Sequence, residues 1–296
     1  MNLRSLLLAL SGALALVTSA HAADKPVDVV ASFSVLADIV KNVGGDRVAV
    51  TSLVPPEGDP HDYQPSPQDS KAVKNADVTF ISGEGLESWF VRLAKAAGSS
   101  KKPVVVSEGV NTHTFVDDGK TITDPHVWNS VPNVILWVSN IEKALAKTSP
   151  ENAAYFKENA GKYTQKLRDL DAYVHSKIDP VPSGKRKVLT SHDAFGYYGK
   201  EYGVTFLSPL GVSTETEASA AGIAKLINQI KKEHVSVYFL ENSNDHRLVQ
   251  QLASATGAQP GGELYPESLS KADGPVPTYL DLMKHNTDLI AAAISK

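Results

Sequence analysis

Two rhythms of apolar and polar residues alternate along this chain. Residues 27–33 form an apolar run with β-branched residues, the pattern of a strand. Val35, Leu36, Ile39, Val40 and Val43 then recur at helical spacing until Gly44-Gly45 stops them. Residues 48–54 read as a second strand, followed by a helical stretch that ends before Asn75. Residues 78–81 and 104–106 read as short strands, with an amphipathic helix around 86–97 between them. The same grammar restarts at residues 187–190. Helices are predicted near 194–202 and 220–232, a buried strand at 235–240, a helix at 246–256, and a last helix from Thr278 to the C-terminus. Strands alternating with helices predict parallel sheets flanked by helices, and two such blocks predict two α/β lobes.

Between the blocks, residues 151–178 contain no proline and one glycine, Gly161. Phe156, Ala160, Tyr163, Leu167, Leu170 and Val174 are spaced by three or four residues, which is one apolar stripe on a helix. Some 26 residues at this rise give a rod of roughly 40 Å. Pro150 opens it and Pro180-Val181-Pro182 closes it. Its place midway along the chain predicts a rigid interlobe backbone at 151–180, with an N-terminal lobe at 23–150 and a C-terminal lobe at 181–296.

The first residues change where the protein is expected to work. Arg4, an apolar run over 6–17 and the sequence Ser19-Ala20-His21-Ala22 are the parts of a cleavable secretory signal peptide, expected at 1–22. About 12 apolar residues are too few to cross a bilayer, which takes about 20. Cleavage leaves 274 residues and takes the formal charge from −4 to −5. That weak acidity argues against a nucleic-acid partner, which calls for a basic face. The chain has no cysteine, so neither a disulfide nor a lipid attached to cysteine is expected. These features suggest a soluble periplasmic protein.

Candidate chemistry is concentrated in four turn contexts. His61 stands in GDPHDYQPSP, His126 in DPHVW, His192 in SHDAF and Glu267 in LYPESLS, separated by 65, 66 and 75 residues. They can meet only if the fold gathers four segment ends, as open α/β sheets do at the C-terminal ends of their strands. Three imidazoles and one carboxylate would make a closed tetrahedral set of the kind zinc accepts. Trp128 offers His126 a dry wall, and Asp193 is a candidate to orient His192, unless Ser191 and Asp193 simply cap the following helix. Glu241, at the end of a predicted strand, rivals Glu267 for the fourth position. His113, His175, His234, His246 and His285 read as ordinary loop or helix residues.

GDPHDYQPSP, DPHVW, SHDAFGYYGKEYG, FLENSNDHRLVQQLASATGA and LYPESLSKADGPVPTYLDLMKHN, in this order, resemble the zinc and manganese solute-binding proteins of ABC importers. The likeness is to the ZnuA/TroA type over essentially the whole mature chain, with the last two motifs most similar to AztC-type zinc binders. It implies His61, His126 and His192 as metal ligands, and Glu267 where many members carry aspartate, with water or Glu241 as the alternative. The long histidine-rich loop of many zinc-specific members is replaced here by a short segment around His113. Members of the manganese type usually place glutamate where this chain has His192, so three imidazoles favour Zn(II) over Mn(II), while copper and nickel would also accept them.

The resemblance implies a non-enzymatic, monomeric carrier that delivers zinc to a membrane permease, with a periplasmic metallochaperone as a further partner. A manganese or other divalent-metal carrier is the nearest alternative. A zinc hydrolase would need an open coordination position and a base such as Glu241 or Asp193, and the chain has no HExxH helix or nucleophile elbow.

Overall fold

A computed structural model describes residues 25–117, 120–214, 219–243 and 245–296. The segment expected to be a signal peptide lies outside the described residues. The first block runs β1 (Val27–Phe33), α1 (Ser34–Gly44), β2 (Val48–Val54), α2 (Pro67–Asn75), β3 (Val78–Ile81), α3 (Phe90–Ala97) and β4 (Val104–Val105). Its strands lie in the order β2-β1-β3-β4, all parallel. β1 is interior to this sheet, which explains why every residue in it except Asp28 is buried. An antiparallel hairpin, β5 (Thr114–Asp117) and β6 (Lys120–Thr123), then leads to α4 (Val131–Thr148) and α5 (Ala153–Ile178). The second block comprises β7 (Lys187–Leu189), α6 (Gly196–Tyr202), β8 (Thr205–Leu207), α7 (Ala220–Lys232), β9 (Val237–Glu241), α8 (Arg247–Thr256), β10 (Gln259–Leu264) and α9 (Tyr279–Ile294). Its strands order as β10-β9-β7-β8, again all parallel. Two helix-flanked parallel sheets and a long helix between them are the architecture the apolar pattern predicts.

Helix α5 has 26 residues and buries Phe156, Ala160, Tyr163, Leu167, Leu170, Val174 and Ile178 along one face. It packs on α4, on α1 of the first block and on α9 at the chain end, so one rod touches helices of both blocks. A single apolar cluster accordingly runs from Val27 to Ile294, with a smaller one around Leu226, Ile230 and Val249 in the second block. Leu167 is fully buried in the larger cluster. Leu167→Ala should lower unfolding free energy by about 3 kcal/mol, read as a fall in Tm, because the rigid helix leaves most of the cavity unfilled.

Three expectations need correction. Helix α3 begins at Phe90 rather than near residue 86. Gly83, Glu84 and Gly85 all have positive φ, which no right-handed helix accommodates, and residues 85–89 turn instead. The buried Glu87 carboxylate fastens that turn, accepting from Ser32 Oγ at 2.6 Å and from the Ser82 and Gly83 N–H groups. Ser191 and Asp193 do not cap α6: it starts at Gly196 after Phe195, without a side-chain cap. The 18-residue α4 is an element the sequence reading did not contain. Its buried positions Val131, Val134, Trp137, Val138, Ile141 and Leu145 have helical spacing.

Candidate metal centre

Each candidate side chain stands just beyond the C-terminal end of a strand or behind the hairpin. His61 follows β2, His126 follows β6, His192 follows β7 and Glu267 follows β10. Their segments are pinned locally. In Asp59-Pro60-His61 the Asp59 Oδ1 accepts the His61 N–H at 2.7 Å, and Trp89 Nε1 donates to the Pro60 carbonyl at 2.8 Å. Downstream, Ser66 and Asp69 form a capping box on α2, and Tyr63 donates to Asp69 at 2.9 Å. Asp124-Pro125-His126 repeats the turn, with Asp124 Oδ1 accepting the His126 N–H at 2.9 Å. Trp128 and Asn129 donate to the Pro266 carbonyl, which ties the His126 segment to the loop that carries Glu267.

These four turns bring one atom from each residue to a common point. His126 Nε2 lies 3.0 Å from His61 Nε2 and 3.3 Å from His192 Nε2. Glu267 Oε2 lies 3.2, 3.5 and 3.6 Å from the Nε2 atoms of His61, His126 and His192. His126, His192 and Glu267 are wholly buried, and His61 is 6% exposed. This is the one group of three or more potential metal-ligating side chains found among the described residues. Glu267 Oε1 accepts from Ser243 Oγ at 2.9 Å, while Oε2 has no hydrogen-bond donor of its own. A buried carboxylate oxygen beside three ring nitrogens is a donor set that could hold a metal ion.

Carboxylates fix two of the rings from behind. His126 Nδ1 donates to Asp124 Oδ1 at 2.9 Å, and His192 Nδ1 donates to Glu241 Oε2 at 2.5 Å. Because carboxylates only accept, both rings carry their proton on Nδ1 and can present Nε2 to the common point. Glu241 also accepts the N–H groups of Ser191 and His192. The orienting role expected of Asp193 therefore falls to Glu241, which faces the back of His192 and stands outside the four-atom group. Asp193 instead donates its N–H to the Gly211 carbonyl. Glu241→Ala should weaken metal binding by about 10–100-fold, measured by competition with a chelator, since the ring loses both its tautomer and its anchor.

Charge at the site is set by the same contacts. Burial pushes the His192 imidazole down, but the Glu241 and Glu267 carboxylates outweigh it and hold the ring well above the ordinary imidazole value. Burial also opposes protonation of His126, yet Asp124 and Glu267 raise it on balance. Glu267 is the converse: burial would lift its carboxyl, and the adjoining histidines hold it well below the usual range. These shifts share one cause, the close apposition of imidazoles and carboxylates in a buried site.

His113 proves more than a loop residue. Its ring lies 4.2 Å from that of Tyr197, and its Nε2 is 3.5 Å from Asp124 Oδ2, on the far side of that carboxylate from His126. A side chain at Gly196 would meet Asp124 Oδ2 at 2.5 Å, so the glycine of HDAFG leaves room for the carboxylate. His246 and His285 each bond a backbone carbonyl, and His175 sits on the open face of α5 beside Asp179. His234 adopts a positive φ before β9.

Residues 29–293 match the family model described as "Zinc-uptake complex component A periplasmic". The metal ABC transporter substrate-binding lipoprotein SloC of Streptococcus mutans is 34% identical over 287 residues, covering 94% of each chain. The periplasmic zinc binding protein TroA of Treponema pallidum superposes with a TM-score of 0.85 at 32% identity, over 92% of this chain and all of that one. A manganese-bound periplasmic metal binding protein of Candidatus Liberibacter asiaticus superposes with a TM-score of 0.83 at 32% identity, over 91% of this chain and all of that one. Such proteins bind and hand over a solute and catalyse nothing. With the fold, the gathered donors and these relatives in agreement, the chain belongs to the ZnuA family of metal-binding components of ABC transporters.

Proposed function

We propose that this protein carries zinc in the periplasm, binding one ion through His61, His126, His192 and Glu267 and delivering it to a membrane permease. The observation that carries this reading is the spacing of the four donor atoms. Five of the six distances among the donor atoms average about 3.3 Å, and all four atoms lie within 4.8 Å of one another; a tetrahedron with edges of about 3.3 Å would hold an atom about 2.0 Å from each corner, the length of zinc–nitrogen and zinc–oxygen bonds. Ser243 occupies Glu267 Oε1, which leaves the carboxylate one oxygen to give and keeps the donor count at four. Manganese prefers more, and harder, oxygen donors. Because Glu267 fills the fourth corner, there is no open position of the kind a zinc hydrolase needs.

The manganese-bound relative makes a manganese carrier the second reading. Competitive titration of the metal-stripped protein separates the two. Zinc should bind one-to-one and displace manganese at equal concentration; manganese binding as tightly as zinc would overturn the zinc assignment. The expected division into an N-terminal lobe at 23–150, a backbone helix at 151–180 and a C-terminal lobe at 181–296 belongs to the same proposal. With α5 packed against helices on both sides, loading would tilt the lobes slightly rather than open them widely. A freely diffusing, monomeric state belongs to the same proposal, the chain having no cysteine to carry a lipid. A metallochaperone would be a second partner beside the permease.

A further inference from the structure

The two Asp-Pro-His turns are built alike and end differently. In both, the aspartate Oδ1 accepts the N–H of the histidine two residues on. Asp124 uses that same oxygen to grip the ring of His126 as well. Asp59 does not reach the ring of His61. Its Oδ2 instead accepts from Thr214 Oγ1 at 2.7 Å, across 155 positions of sequence and from the loop that follows β8 in the second block. Among the described residues, Asp124 and Glu241 are the carboxylates that accept from the Nδ1 atoms of the grouped histidines, and His61 has no such partner. It is also the one member of the group with measurable exposure. A cavity of about 300 Å³ opens beside it, walled by Glu84 and Leu86 in the first block, Ile122 in the hairpin and Pro125 behind it, and Val212 in the loop that carries Thr214.

We infer that His61 is the ligand past which the ion enters and leaves, and that the Asp59–Thr214 hydrogen bond is the latch that sets how fast it is released. This rests on the ligand set proposed above. Three of the four donors are sealed from solvent, so the path to the cavity runs along the His61 side. The His61 ring meets the other donors through Nε2 but has no carboxylate behind Nδ1, so its position depends on its backbone turn more than those of His126 and His192 do. Thr214 fastens that turn to the opposite block. Loss of the bond frees the His61 loop while all four donor atoms remain present. Asp59 and Thr214 are thus positioning residues for exchange, not ligands.

The test is zinc release from the full chain into excess chelator, followed by stopped flow, for wild type, Thr214→Val and Thr214→Ser. Valine keeps the shape and removes the hydroxyl, and its off-rate should rise about tenfold or more, as for loss of a hydrogen bond to a charged group. Zinc should still bind one-to-one, with the change falling mainly on release rather than capture. Serine keeps the hydroxyl and should release zinc at close to the wild-type rate; thermal melting of each variant checks its fold. An unchanged off-rate in Thr214→Val, or a Thr214→Ser variant as fast as valine, would overturn the latch while leaving the ligand set intact. Absence of one-to-one zinc binding in the wild type would overturn the ligand set and the latch together.

Discussion

His126→Ala should lower zinc affinity at least about a thousandfold, equivalent to ~4 kcal/mol, when measured by competition with a chelator of known strength. His126 is the hub of the donor group, since its Nε2 is within 3.5 Å of each of the other three donor atoms. The remaining donors have no substitute at hand, because Trp128 closes one side of the ring and, among the described residues, no other metal-ligating side chain joins the group. The replacement also leaves the buried Asp124 carboxylate without its ring partner. A lower Tm in the metal-free protein should therefore accompany the loss of affinity, through the cost of an unpaired buried group. Zinc binding within tenfold of wild type would mean that the ion lies elsewhere.

Acidification should be the second strong effect. His126 and His192 both hold protons more tightly than free imidazole, and zinc can bind only after those protons leave. Above the raised values the rings are already neutral and affinity is flat. As pH falls through those values, which lie above 6.5, each ring takes a proton and each proton costs a factor of ten per pH unit. Affinity should therefore drop by up to about a hundredfold per unit, with close to two protons released on binding. Glu267, held low, takes no proton in this window and so keeps its charge for the ion. Calorimetry in buffers of different ionisation enthalpy counts the protons. A release near zero at pH 6 would contradict the charge state assigned to the two rings.

Much of this molecule is legible without coordinates, for physical reasons that differ by element. The stripe on α5 is continuous because the helix buries one face over its whole length, so all six predicted positions are buried and Ile178 extends them by one turn. Strand β1 shows as an apolar run because both its faces are covered. Strands β8 and β10 leave no such trace. Each lies at an edge of its sheet, where the Pro260 and Gly261-Gly262 of β10 are tolerated and one face can remain polar. Helix α4 carries a usable pattern, blurred by Ile135 and Leu136, which lie between its buried positions.

The site divides in the same way. The four gathered side chains stand in turns rich in proline and at strand ends, and those local features mark them. The repeated Asp-Pro-His turn could have marked Asp124 as well, since both aspartates serve the backbone N–H of the following histidine. Glu241 is another matter. It is 49 residues from the ring it orients, and only the meeting of β9 with β7 brings the two together. Asp193, adjacent in sequence, was the natural expectation, and it was wrong because the His192 Nδ1 proton goes to Glu241 Oε2.

The most direct test is X-ray absorption at the zinc edge on the wild-type protein loaded with one equivalent of zinc. Four nitrogen or oxygen neighbours at about 2.0–2.1 Å, with the outer-shell scattering of three imidazoles, are the expected result. Five or six oxygen-rich neighbours, or scattering from fewer than three imidazoles, would contradict the centre described here.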